Sequence, residues 1–126
     1  MKIYVTSVFA DDPPQAREFY TRVLGFEVKH DIPVGEHRWL TIVGRDNPHG
    51  TELLLERSEH PAVKPFKDAL VRDGISAAPF QVDHMDAEFD RLSDLGVEFT
   101  QAPVEAGAVK MAVLHDLRAP DPVGRE

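Results

Sequence analysis

Cysteine is absent from this 126-residue sequence, which excludes a disulfide framework and thiol chemistry. Basic residues are also few: 14 Lys and Arg against 22 Asp and Glu give a net charge of −8, the wrong sign for holding nucleic acid or an anionic membrane. No stretch is apolar enough to span a membrane, and nothing near the N-terminus resembles a signal peptide. We therefore expect a cytoplasmic protein whose partners are small molecules or proteins.

The most informative feature that is present is an internal duplication. Residues 9–28 and 80–99 match at a constant offset of 71, so that Phe9 corresponds to Phe80 and the LGFE of the first copy to the LGVE of the second. Each copy is typical of a strand, a capped helix, a glycine stop and another strand. The repeat predicts two similar modules packed as one domain over residues 1–126, and a pocket between them is the default functional site.

The first copy, residues 1–59, is predicted to fold as a βαβββ module. The β-branched run KIYVTSVFA predicts a strand, after which Asp12 caps a helix whose first turn holds Pro13 and Pro14. Gly25 ends that helix, and FEVKHDIPV, HRWLTIVG and TELLLER are predicted as three further strands. Helical spacing predicts one core-facing stripe: Ala16, Phe19, Tyr20 and Val23.

Residues 60–75 form a predicted linker helix, with Phe66, Ala69 and Leu70 on its apolar side and Pro65 near its start. The second copy, residues 76–126, opens with a predicted strand, SAAPFQVD. Asp83 is then expected to cap a helix in a capping-box arrangement with Asp86. The apolar stripe of this helix should consist of Met85, Phe89 and Leu92.

VEFTQ and VKMAVLH are the next predicted strands of the second copy, and the pattern then breaks. Pro120 and Pro122 remove two backbone donors, so residues 117–126 should run as irregular chain and the last strand of the second module should be missing.

The runs FYTRVLGFEV at 19–28, TELLLE at 51–56 and FQVDHMDAEFDRLSDLGVEF at 80–99 resemble the vicinal oxygen chelate superfamily. That superfamily includes glyoxalases, bleomycin resistance proteins and extradiol dioxygenases. The resemblance implies an α+β fold in which two βαβββ modules form a cupped mixed sheet, often within a homodimer. It also implies that the cup holds a small organic molecule and, in some members, a divalent metal.

The resemblance also concerns the tail. Close members of the superfamily typically continue after the Asp at the position of Asp116 with a stretch like D-x-C-G-N/H-L-I-Q, and residues 117–123 can be reverse-translated with ordinary codons so that a shifted frame spells CGHLIQ. We therefore hypothesise that a frameshift replaced the natural final strand, which sequencing of the source locus would test.

The resemblance places metal ligands at four positions, of which this sequence keeps one. The first-strand position falls near Val5, the fourth-strand position on Glu56 and the fifth-strand position near Ala77, while the last should lie on the missing strand. One carboxylate does not hold a divalent ion tightly, so we expect no metal site and no cofactor. In the alternative, a metal-dependent lyase or dioxygenase recruits ligands elsewhere: His30, His37 or His115.

Four residues are candidates for contact with a small molecule. Strand alternation places His37 and Trp39 on one face of their strand, and Glu52 and Glu56 on one face of theirs. His37 and Trp39 could form a polar and aromatic wall for a ligand, or Trp39 could be a core residue flanked by surface charges. Glu56 is a candidate catalytic base or hydrogen-bond acceptor, although a carboxylate beside Arg57 at a strand end could equally be solvated.

The function predicted from the sequence is binding or metal-independent conversion of a small organic molecule in the cup. The specific activity is open, and so is whether the chain is an enzyme. The alternatives are the metal-dependent enzyme and a non-enzymatic structural or regulatory partner protein. Fold resemblance alone does not choose among them.

Overall fold

The computed structural model describes residues 1–114, and the first copy in it is a complete βαβββ module. Its helix begins at the predicted cap, where the Asp12 side chain accepts a hydrogen bond from the backbone N–H of Gln15 at 3.1 Å. A five-residue π-helical turn, Phe19–Val23, ends it and leads to Gly25, whose φ of +89° is open to glycine. The elements are β1 (Val5–Ala10), α1 (Pro13–Glu18), β2 (Glu27–Val34), β3 (His37–Val43) and β4 (Glu52–Arg57).

These strands form one mixed sheet in the order β1-β4-β3-β2. β1 runs parallel to β4, and the other neighbouring pairs are antiparallel. The fourth strand of the module therefore lies between the first and third. A register shift between Val28 and His30 marks a bulge in β2.

The main core lies between α1 and one face of this sheet. The predicted stripe is confirmed at Ala16 and Tyr20, which are buried, while Phe19 is half-buried against the same cluster. Alternation along the strands directs a set of apolar side chains to this face: Val8, Ala10, Leu40, Ile42, Leu53 and Leu55. Tyr20 and Phe26 also contact the ring of Phe80, which joins the second copy to the first.

The linker helix is confirmed as α2 (Val63–Arg72), with Pro65 in its first turn. Its predicted apolar side is partly wrong, because Phe66 is 54% exposed and the buried residues are Val63 and Lys67. The Lys67 side chain is buried, and its ammonium group lies 2.9 Å from the carboxylate of Asp11, the residue that follows β1. An ion pair therefore helps to hold α2 against the first module where an apolar contact was expected.

The second copy repeats the first from its helix onward. It consists of α3 (Met85–Asp94), β5 (Phe99–Ala106) and β6 (Val109–Leu114), which match α1, β2 and β3 at close to the same offset of 71. Gly96 has a φ of +90°, against +89° at Gly25. β5 and β6 pair with each other as a separate two-stranded sheet, and α3 packs on it through Phe89 and Phe99.

Three predictions for the start of the second copy are wrong. SAAPFQVD forms no strand, and α3 begins one residue later than expected, with His84 at the N-cap and no side-chain cap from Asp83. The capping box is also absent, because Asp86 instead accepts hydrogen bonds from Lys110. In the first copy β1 pairs with β4, and within residues 1–114 the second copy contains no counterpart of β4 that could hold such a strand.

The predictions for the final strand, for residues 117–126 and for His115 lie outside the described residues. Over the described chain, none of the helices has the length and apolar character that crossing a bilayer requires. The division into residues 1–59, 60–75 and 76–126 stays a prediction.

Candidate functional site

The face of the four-stranded sheet that points away from α1 carries the candidate residues; we call it the open face. It is defined by alternate residues of the four strands: Val5, Ser7, Phe9, His30, Ile32, Val34, His37, Trp39, Thr41, Val43, Glu52, Leu54 and Glu56. Its middle is buried and its edges are exposed, since Thr41 is fully buried whereas Ile32 and Val34 are 49% and 56% exposed. The open face is thus a sheltered centre within an accessible rim.

Two polar side chains in this sheltered centre are unusual. Thr41 Oγ1 and Glu52 Oε1 are buried and have no hydrogen-bond partner among residues 1–114. The other carboxyl oxygen, Glu52 Oε2, lies 3.8 Å from His30 Nε2, across β3, which is too long for a hydrogen bond. Buried polar atoms normally have a hydrogen-bond partner. These two oxygens therefore mark a place where a hydrogen-bond donor from a ligand would be stabilised.

The strand register explains how these residues meet. His30 lies directly opposite Thr41 on the neighbouring strand, and Thr41 lies opposite Leu54, two residues from Glu52. Glu52 is held in position from its own backbone, because its N–H donates to the carbonyl of Tyr4 at 3.0 Å. His30 on β2 therefore lies beside Thr41 on β3 and, at 3.8 Å, beside the Glu52 carboxyl on β4.

The sequence analysis selected Glu52 but missed Thr41 and gave His30 only a role as a substitute metal ligand. A signal for Thr41 was present, because it follows His37 and Trp39 at the same alternate spacing along β3. No comparable signal exists for His30. Its position beside Thr41 depends on the bulge between Val28 and His30 in β2.

The other predicted residues lie toward the opposite end of the open face. Trp39 lies two residues before Thr41 on β3, and Glu56 lies two residues after Leu54 on β4. Because the two strands are antiparallel, both positions lie on the same side of the Thr41 and Leu54 pair. Trp39 is half-buried and Glu56 is exposed. His37 is exposed as well, with Nδ1 3.6 Å from Glu59 Oε1. The structure thus brings Glu52 together with Thr41 and His30, and places His37 and Glu56 at the rim.

The donors among residues 1–114 do not fit a divalent metal. The β1 and β4 register pairs Val5 with Glu52, whereas Glu56 pairs with Phe9, four residues further along each strand. A metal beside the first-strand position would therefore meet Glu52 rather than Glu56. Within residues 1–114 no group of three His, Asp or Glu side chains is arranged to hold an ion, and His30 stands alone beside Glu52.

Charged groups outside the open face support the fold around it. A hydrogen bond from Lys67 lowers the pKa of Asp11, and a hydrogen bond from Arg91 lowers the pKa of Glu88. Arg91 also donates to the carbonyl of Val23 at 3.0 Å, which ties α3 to the first copy. His60 Nδ1 accepts a hydrogen bond from the N–H of Ala62 at the start of α2, a structural role.

Comparison with known proteins agrees with this architecture. The chain is 47% identical over 116 residues to the uncharacterized protein YurT of Bacillus subtilis (strain 168), covering 92% of this chain and 91% of that protein. The crystal structure of UcmS2 superimposes with a TM-score of 0.80 at 30% identity, covering 92% of this chain and 90% of the other. TnmS3, an antibiotic binding protein from Streptomyces sp. CB03234, has the same fold with a TM-score of 0.74 at 22% identity, covering 94% of this chain and 88% of the other.

The chain also matches a protein-family model over residues 2–124, which is nearly its whole length. Together with the βαβββ module, the duplicated second copy and these relatives, this match shows that the chain belongs to the Glyoxalase/Bleomycin resistance protein/Dioxygenase superfamily.

Proposed function

We propose that this protein binds a small organic molecule on the open face, without a metal. The observation that carries the proposal is a pair of oxygens at the centre of that face, Thr41 Oγ1 and Glu52 Oε1, which are buried without a hydrogen-bond partner among residues 1–114. An unpaired buried polar group destabilises a protein by about 1–3 kcal/mol. Such groups beside an accessible rim are typical of a binding site, where a ligand can supply the missing partner.

The surroundings of the two oxygens suit a ligand with an apolar body. Leu54 is buried beside them, and the half-buried rings of Trp39 and Phe9 lie further along the same face. Apolar walls with a few placed polar groups are the usual composition of a small-molecule site. Glu56 and His37 at the rim are proposed to contact polar groups of the same ligand, and Glu56 stays the candidate base if the ligand is converted rather than only held.

One structural neighbour supports the binding of a small molecule. TnmS3 is an antibiotic binding protein, and at 22% identity it shares its fold with this chain. A sheet of this shape can therefore serve as a receptor for a small organic molecule. The identity of the ligand here must come from the residues of this chain.

A fluorescent apolar probe tests the proposal. N-phenyl-1-naphthylamine, which is neutral and brightens in apolar surroundings, should bind saturably and quench or shift the emission of Trp39, the single tryptophan. Trp39→Ala should weaken probe binding about tenfold, since truncating a central aromatic contact typically costs more than 1 kcal/mol. Phe66→Ala, which removes an exposed ring on α2, is the matched control and should change nothing.

The proposal is contradicted if N-phenyl-1-naphthylamine, 1-naphthylmethylamine and 1-naphthylmethanol all fail to bind, each titrated up to its solubility limit. Binding that Phe66→Ala weakens while Trp39→Ala leaves it unchanged contradicts it equally, because the probe would then sit away from the open face. Circular dichroism of both variants shows whether each is folded.

A further inference from the structure

We infer that the ligand of the open face is an organic cation: an apolar or aromatic molecule whose protonated amine pairs with Glu52. The inference rests on the proposed function and names the chemical class of its ligand. It is carried by the polarity and burial of the groups at the centre of the face. The oxygens of Thr41 and Glu52 can accept hydrogen bonds, and few donors lie near them.

The first step is the environment of the Glu52 carboxylate. Glu52 is 5% exposed, and no Lys or Arg among residues 1–114 lies within ion-pair distance of it. The nearest positive candidate is His30, whose Nε2 is 3.8 Å from Oε2 and whose side chain is itself 37% exposed. A carboxylate removed from water this completely is stabilised when a cation with hydrogen-bond donors reaches it.

The second step is the choice of an amine over other donors. An ammonium group has three N–H donors and one positive charge, so it can donate to Glu52 Oε1 and to Thr41 Oγ1 while neutralising the carboxylate. Hydrogen bonds between ionised partners are shorter and about twice as strong as neutral ones. A neutral hydroxyl satisfies one oxygen and leaves the charge unpaired. An anionic ligand would face both the carboxylate and the net charge of −8.

The third step concerns the rest of the ligand. Val5 pairs with Glu52 across the parallel strands and Leu54 follows it on β4, so the groups next to the carboxylate are aliphatic. Trp39 and Phe9 lie toward the rim, where a flat apolar body can stack on them. The arrangement therefore favours a molecule with the amine at one end and an aromatic or aliphatic body at the other.

A matched pair of probes tests the charge directly. 1-Naphthylmethylamine and 1-naphthylmethanol share one aromatic body and differ in the ammonium group. Calorimetric titration of the full chain should give at least about tenfold tighter binding of the amine, because its ammonium group can donate to the charged carboxylate and hydrogen bonds between ionised partners are the stronger ones. Glu52→Gln should remove that preference by weakening the amine alone, and Thr41→Val should weaken the amine by a smaller factor.

Glu98→Gln is the control, since it removes the same charge from an exposed position just before β5. It should leave both affinities within about twofold, which shows that net charge alone does not account for the preference. Thermal melting of each variant confirms that it is folded at the titration temperature.

The outcomes separate the two proposals. Equal affinity for amine and alcohol in the unmodified protein, or a Glu52→Gln variant that weakens both equally, overturns the organic-cation inference and leaves binding on the open face standing. If neither naphthyl compound binds and N-phenyl-1-naphthylamine does not bind either, the proposed function itself is wrong. A Glu52→Gln variant with raised stability and unchanged amine affinity also overturns the inference.

Discussion

Thr41 combines full burial with a hydroxyl that has no hydrogen-bond partner among residues 1–114. Thr41→Val, which preserves the shape of the side chain, should therefore raise the free energy of unfolding by about 1 kcal/mol. Urea denaturation of the two proteins measures this. A variant destabilised by that amount would mean that the hydroxyl has a hydrogen-bond partner in solution, which would also remove the observation that carries the proposed function. Stabilisation accompanied by weaker amine binding is the expected combination.

The Asp11 and Lys67 pair should give the stability a dependence on pH. The hydrogen bond from Lys67 lowers the pKa of Asp11 in the folded protein, so the pair stabilises the fold above the ordinary aspartate pKa of about 3.9. That contribution is lost as the pH falls through the lowered pKa. Because Asp11 is 57% exposed, we expect Asp11→Asn to lower the free energy of unfolding by only about 1 kcal/mol at neutral pH.

The same variant should have a smaller effect in acid, where Asp11 of the unmodified protein is protonated as well. Urea denaturation at neutral and acidic pH measures both values. Asp68→Asn is the control, because it breaks an exposed pair with Lys64 on the same helix and should have little effect at either pH. An Asp11→Asn effect that is equal at both pH values would contradict the linkage.

At the scale of elements, the duplication allows a paired test of helix capping. Asp12 caps α1 through the N–H of Gln15, whereas Asp83, its counterpart in the repeat, caps nothing. Asp12→Ala should therefore lower the free energy of unfolding by about 1 kcal/mol. Asp83→Ala should change it by less than about 0.5 kcal/mol. Denaturation curves of the two variants compare the same change at equivalent positions. Equal losses would show that Asp83 caps α3 after all.

Sequence patterns predicted most elements of the first module because their causes are local. The cap at Asp12, the two prolines in the first turn and the positive φ at Gly25 are properties of adjacent residues. The prediction of an opening strand in the second copy was wrong because a strand depends on residues that are distant in the sequence. A strand requires a neighbour, and Pro79 within SAAPFQVD also removes one donor from any ladder.

At the scale of the whole molecule, we expect a homodimer. The face of the β5 and β6 hairpin that carries Val104, Val109 and Met111 is 43–62% exposed at these residues, and the rim of the open face adds Ile32 and Val34. Apolar surface of this kind is commonly covered by a second copy. Light scattering at micromolar concentration should give twice the chain mass, and a value near 14.1 kDa would contradict the prediction.

We also expect the purified protein to hold little metal. After dialysis, elemental analysis should find well under one equivalent of Zn, Ni, Fe or Mn, because Val5 occupies the position opposite Glu52 and His30 is its one nearby nitrogen donor among the described residues. Stoichiometric metal that is lost in Glu52→Ala or Glu56→Ala would contradict this and favour the metal-dependent lyase or dioxygenase. The result is independent of the amine titrations.

The duplication, the Asp12 cap of α1, the glycines that end the helices and the alternation that divides each strand into two faces could all be predicted from the sequence. These follow from steric preferences and periodicities that act within a few residues. The pairing of Val5 with Glu52, and the β2 bulge that places His30 opposite Thr41, could be read only from the three-dimensional structure. Strand register joins residues such as Val5 and Glu52, which are 47 positions apart, so no local pattern specifies it.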